Sequence, residues 1–128
     1  MTASTPDLHA AGRHALDRWQ RMALGVRLAY HPTRPCTIGC YLGVGRALVK
    51  HGFVAEVDAE QRMYRVLLQT ATDLALAPLW RQHCLSYALH PLARLTTLLA
   101  HEPFTVTALH ARWDLAHRQL PTTPADAE

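Results

Sequence analysis

Residues 51–69, HGFVAEVDAEQRMYRVLLQ, admit two readings that lead to different folds. In one, Gly52 stops a helix and Asp58 caps the next. In the other, FVAEV and RMYRVLL are strands around a polar turn, a β-hairpin over residues 53–68. Periodicity favours the first. Ala59, Met63, Val66, Thr70, Leu74 and Ala77 recur at intervals of three and four, while Asp58, Gln61, Arg62, Arg65, Gln69, Thr72 and Asp73 make a continuous polar stripe. Asp58 and Gln61 have the spacing of a capping box. As a strand, the segment would put Met63, Arg65, Leu67 and Gln69 on one face and Arg62, Tyr64, Val66 and Leu68 on the other, which does not separate apolar from polar. DAEQ also lacks the Gly or Asn that tight hairpins favour. The spacing predicts a helix over 59–77.

The flanking segments read the same way. Thr5 is a candidate N-cap with Pro6 at the first helical position, and Leu8, Ala11, Ala15, Trp19, Met22 and Val26 follow as one apolar stripe. This predicts a helix over about residues 6–30, ended by the prolines of YHPTRPCT. Thr37 is placed to cap a second helix, IGCYLGVGRALVK, which Gly52 stops after Lys50 and His51. On that helix Gly39, Gly43 and Ala47 stand at i, i+4 and i+8 and leave one edge nearly bare, a groove suited to a close internal crossing or to a second copy of the chain. Farther on, Pro78 starts PLWRQHCLSYALH, Pro91 opens PLARLTTLLAH, and HEP ends that piece before Thr105 caps a last helix with Val106, Leu109, Trp113, Ala116 and Leu120 on one stripe. Pro121 ends it. The expectation is a mainly α protein, a compact bundle of five or six helices in one domain over residues 1–120, with 121–128 as a flexible acidic tail.

Composition sets bounds on function. The chain has 128 residues, of which 49% are hydrophobic, enough for one well-filled core. No apolar run reaches the roughly 18 residues that span a bilayer, so no membrane role is expected. MTASTPDLHA lacks the order of charges and apolar residues that makes a secretory signal, and three cysteines are an odd number in a chain large enough to fold without disulfides. Both point to a reducing, cytoplasmic setting. Net charge is +3, unevenly spread: residues 1–50 hold seven basic groups against Asp7 and Asp17, and residues 51–128 hold six against eight acidic ones. A basic first half attracts acidic partners.

Catalytic patterns are absent. His31, Cys36 and Cys40, with His83 or Cys84, offer nitrogen and sulfur for zinc, yet no C-x-x-C pair exists and a free cysteine on an apolar face is ordinarily a small hydrophobe, so no metal site is assigned. The nine histidines are scattered without a metalloprotease-like spacing. His110 and Asp114 stand one turn apart, but no serine or cysteine nucleophile accompanies them. Acidic residues are sparse and no spacing among them marks an acid and base pair, and GVG at 43–45 lies within a helix rather than in a phosphate loop. No catalytic residue and no cofactor is assigned.

Two binding readings remain. In the first, the chain is a non-catalytic adaptor, inhibitor or regulatory subunit that docks on another protein or on a second copy of itself. It would use the Gly39, Gly43 and Ala47 groove, Arg46 and Lys50 beside it, and Trp80 or Tyr87 as aromatic anchors. In the second, it binds DNA. LGVGRALVKHGFVAEVDAEQRMYRV resembles the end of a recognition helix followed by the wing of winged helix-turn-helix regulators, and LARLTTLLAHEPFTVTALHARWDLAHRQL is similar to the entry of that fold. The resemblance implies phosphate contacts from Arg46, Lys50, Arg62 and Arg65. The two stretches stand in the reverse order for one such domain, and Asp114 occupies the place of the usual turn glycine.

Overall fold

Five helices, α1 (Ser4–Arg27), α2 (Cys36–Lys50), α3 (Glu56–Ala71), α4 (Pro78–Leu98) and α5 (Pro103–Gln119), make up most of residues 4–120, which are those the computed structural model describes. No strand forms among the described residues. The segment 121–128, expected as an acidic tail, lies outside them.

The deciding stretch is helical, and its first half is a complete stop signal. Gly52 has φ of +80°, its N–H donates to the Val49 carbonyl at 3.0 Å, and the Phe53 N–H reaches the Leu48 carbonyl at 2.9 Å. These are the two bonds of a Schellman motif, and Leu48 and Phe53 both belong to the apolar cluster. The hairpin over 53–68 is therefore not formed. Helix α3 begins at Glu56, however, with Ala55 extended before it and no side-chain cap. Asp58 sits inside the first turn, where with Glu56 it faces the positive helix end, so the expected Asp58 and Gln61 capping box is not used. The helix also stops six residues early, at Ala71. Asp73 explains why: its carboxylate accepts the Ala75 N–H at 3.0 Å and its carbonyl accepts the Leu76 N–H at 3.1 Å, a local turn that competes with helix. Leu74, expected on the apolar stripe, is instead exposed.

Similar corrections apply elsewhere. Helix α1 takes in Thr5 and Pro6 and ends at Arg27, ahead of the prolines, through a second Schellman motif: Tyr30 N–H to Gly25 carbonyl at 2.9 Å and Ala29 N–H to Val26 carbonyl at 3.2 Å. Here the left-handed position holds Ala29, with φ of +52°. Thr37 is not the cap of α2; it lies in the first turn and its hydroxyl donates to the Arg34 carbonyl at 2.9 Å. Thr105 likewise falls inside α5, which Pro103 opens. Pro91 does not start a helix but lies buried within the single long helix α4, where it leaves the Tyr87 carbonyl without its helical donor. Extensive packing of α4 along α3 holds the helix continuous across that gap.

Helix α3 is the hub and packs on all four others. Its inward residues, Ala59, Met63, Tyr64, Leu67, Thr70 and Ala71, cover a broad arc rather than a narrow stripe. Three tryptophans fasten the remaining helices. Each indole N–H donates to a carbonyl of another helix: Trp19 of α1 to Tyr41 of α2 at 3.2 Å, Trp80 of α4 to Val26 of α1 at 3.0 Å, and Trp113 of α5 to Leu85 of α4 at 3.0 Å. Buried Arg81 of α4 donates Nε–H to the Ala71 carbonyl at the end of α3, at 2.8 Å, while its Nη2 has no protein partner. Arg27 and Asp73 close the same end of the bundle at 2.6 Å, and this hydrogen bond holds the Asp73 carboxyl below the usual carboxylate range.

The two Schellman turns give opposite expectations. Gly52→Ala forces a side chain into the left-handed region and should lower unfolding free energy by about 1 kcal/mol, whereas Ala29→Gly relieves the same strain and should raise it by about 0.5–1 kcal/mol. Urea midpoints of the two variants, compared with the parent, check both signs.

Candidate functional site

The fully exposed residues of α3 form one strip, Asp58, Gln61, Arg62, Arg65 and Gln69, which Thr72 continues just past the helix end. Helix α5 lies along one bank of that strip. The Tyr64 hydroxyl of α3 donates to the Leu109 carbonyl of α5, and burial pushes its pKa up to about 12, so it remains a donor through the neutral range. Between the two helices runs a groove of about 460 Å³. Tyr64, Leu68, Leu109 and Ala116 form its apolar floor, and Leu115, half exposed, forms a wall. Arg65 stands on the α3 bank and Arg112 on the α5 bank. Neither has a carboxylate within salt-bridge distance among the described residues.

On the other bank, toward α1, a smaller hollow of about 220 Å³ is floored by Trp19 and Tyr41 and edged by Arg62 and Arg65. Arg65 thus borders both depressions. Burial raises the Tyr41 hydroxyl pKa, and nearby Arg62 and Arg65 oppose the rise.

The sequence-predicted residues do not gather into one site. Gly39 is covered, with the Tyr87 ring 3.4 Å from where its Cβ would stand, while Gly43 faces open space and Ala47 is exposed. The close crossing occurs on nearly the opposite face of α2, at Gly45. A Cβ there would meet Met63 Sδ at 2.7 Å and Trp19 Cζ2 at 2.8 Å. Trp80 is 1% exposed and belongs to the core, so it is no surface anchor. Arg46 is engaged by Glu60, which is 1% exposed, through contacts of 3.3 and 3.5 Å. It borders a shallow depression beside Leu89, His90 and Arg94 of α4, whereas Arg62 and Arg65 lie toward α1 and α5. Lys50 is exposed at the end of α2. The four basic residues assigned to phosphate contacts are therefore divided between faces.

The candidate chemical groups are equally dispersed. Cys36 and Cys40 are exposed on α2, while Cys84 is buried in α4, where burial pushes its thiol up to about 12. No three His, Cys, Asp or Glu side chains among the described residues come close enough to hold a metal ion. The His110 ring meets the Thr96 hydroxyl at 2.8 Å, not Asp114. What the sequence reading missed is the α5 bank. Leu115 was the available signal: it lies off the Val106, Leu109, Trp113, Ala116 stripe, so a core role did not account for it. Glu60, an acid within the inward arc of α3, was a second.

No protein-family model, no curated protein and no solved structure matches this chain. The groove's geometry and chemistry carry the functional reading.

Glu60 gives a direct check on the assignment of Arg46. Removing the guanidinium leaves a buried carboxylate unpaired, so Arg46→Ala should lower unfolding free energy by about 1–3 kcal/mol, and adding Glu60→Gln should recover part of that loss. Lys50→Ala, at an exposed position, should stay within about 0.5 kcal/mol of the parent.

Proposed function

We propose that this protein is a non-catalytic docking protein, acting as an adaptor, inhibitor or regulatory subunit, and that its α3–α5 groove receives an acidic amphipathic helix of a partner protein. One observation carries the reading: the groove joins an apolar floor to arginines on both banks that have no carboxylate partner among the described residues. An apolar floor matches leucines repeating at three and four on a partner helix, and Arg65 and Arg112 match acidic residues flanking that stripe. Arginine suits this place because its planar fork takes a carboxylate in two parallel bonds.

The DNA reading has less support. Its wing required strands at residues 53–68, where the chain is a Gly-stopped turn followed by helix α3. Its four phosphate-binding residues also do not share a surface, and Arg46 already neutralises Glu60.

The test is a titration of ¹⁵N-labelled protein with a synthetic acidic helical peptide carrying leucines at i, i+3 and i+7 and glutamates beside them. Saturable shifts are expected at the amides of Arg65, Leu68, Leu109 and Leu115, and the double variant Arg65→Glu, Arg112→Glu should weaken binding at least about tenfold with its thermal unfolding unchanged. Absence of saturable binding would overturn the reading. So would tighter binding to a random-sequence DNA duplex that collapses as salt is raised.

A further inference from the structure

We infer that the hollow at the junction of α1 and α2 is a separate small-molecule site for an organic phosphate with an apolar or aromatic body. The hollow measures about 390 Å³, within the usual range of ligand pockets, and shares no residue with the α3–α5 groove. Its floor is apolar, formed by Met22, Gly25 and Val26. Its rim is cationic and polar: Arg18 and Arg21, one turn apart on α1, with His31 and Thr37 opposite them. No acidic residue lines it. Neither arginine has a carboxylate within salt-bridge distance among the described residues, although Asp17 lies on the same helix.

The backbone builds this arrangement. The Schellman motif that ends α1 turns the chain back so that Tyr30 comes against Gly25, whose Cβ position lies 3.5 Å from the ring. The bond from Arg34 N–H to the His31 carbonyl, at 2.9 Å, then bends the chain toward the start of α2. Thr37 and Cys40 thus bring the first turns of α2, with their positive partial charge, to the same hollow as the two guanidinium groups. A phosphate monoester carries close to two negative charges at neutral pH and three acceptor oxygens. Two forked donors and an imidazole match that head better than they match a single carboxylate, and the Met22, Gly25 and Val26 floor beside Tyr30 matches a flat apolar body.

The probe is phenyl phosphate, titrated into the full-length ¹⁵N-labelled protein, with inorganic phosphate and benzyl alcohol as the separate head and body. Phenyl phosphate should saturate with shifts centred on the amides of Gly25, Tyr30, His31 and Thr37, and should bind at least about tenfold more tightly than either fragment. Arg18→Gln and Arg21→Gln should each weaken it about tenfold. Gly25→Leu, whose Cβ would stand at ordinary contact distance from the exposed Tyr30 ring and whose branches would fill the floor, should abolish binding while the circular dichroism spectrum and melting temperature are kept. The inference is overturned by non-saturating shifts, by inorganic phosphate binding as tightly as phenyl phosphate, or by arginine variants that bind normally. These outcomes are read at Gly25, Tyr30, His31 and Thr37, apart from the Arg65, Leu68, Leu109 and Leu115 amides that report on the α3–α5 groove.

Discussion

The bundle is organised by the crossing of α1, α2 and α3 at Gly45. With hydrogen in place of a side chain, Met63 of α3 and the Trp19 ring of α1 both come within a space that a Cβ would occupy, at 2.7 and 2.8 Å. Closeness at this one point sets the rest. It lets the Trp19 ring stack on Tyr41 with centroids 5.8 Å apart and lets the indole N–H reach the Tyr41 carbonyl. It also seats α3 deep enough to meet every other helix, which leaves only a narrow strip of α3 for solvent. Both depressions that border this strip follow from that placement.

Polar groups then fix what apolar packing leaves loose. Burial of large rings is non-directional, but an indole N–H without an acceptor costs about 1–3 kcal/mol, so each tryptophan restricts the register of two helices. Arg81 does the same for α4 against the end of α3, and Arg46 for α2 against Glu60. Arginines committed in this way cannot serve a partner freely. The distinction between Arg46, Arg81 and Arg27, which hold the fold, and Arg65, Arg112, Arg18 and Arg21, which border open hollows, is the main electrostatic fact about this surface.

Much of this was legible in residue spacing. The helical nature of 59–71, the stop at Gly52 and the core roles of Trp19, Val26 and Met63 all follow from periodicity and from glycine's access to positive φ. Helix ends were less legible, because they were set by local competition: Asp73 diverts the backbone into a turn, and Ala29 adopts a conformation usually left to glycine. Pro91 misled for a related reason, since a proline's cost to a helix is local while the packing of α4 on α3 that outweighs it is tertiary. The glycine stripe and the crossing lie on nearly opposite faces of α2, since Gly45 stands two residues, about 200°, from Gly43 and Ala47: spacing marks which edges are bare, and only the neighbouring helices decide which edge is used. The candidate groove depended on α3 and α5 becoming neighbours, and no local pattern encodes that.

Gly45, and not the more regular Gly39, Gly43 and Ala47 stripe, is where the helices close on one another. Guanidinium unfolding of Gly45→Ala and Gly43→Ala, measured side by side, distinguishes the two positions. Gly45→Ala should lower unfolding free energy by about 1–3 kcal/mol through overpacking against Met63 and Trp19, while Gly43→Ala, in open space, should raise it by up to about 1 kcal/mol through helix propensity. If both variants gain stability together, the crossing does not lie at Gly45 and the placement of α3 that builds the grooves is contradicted.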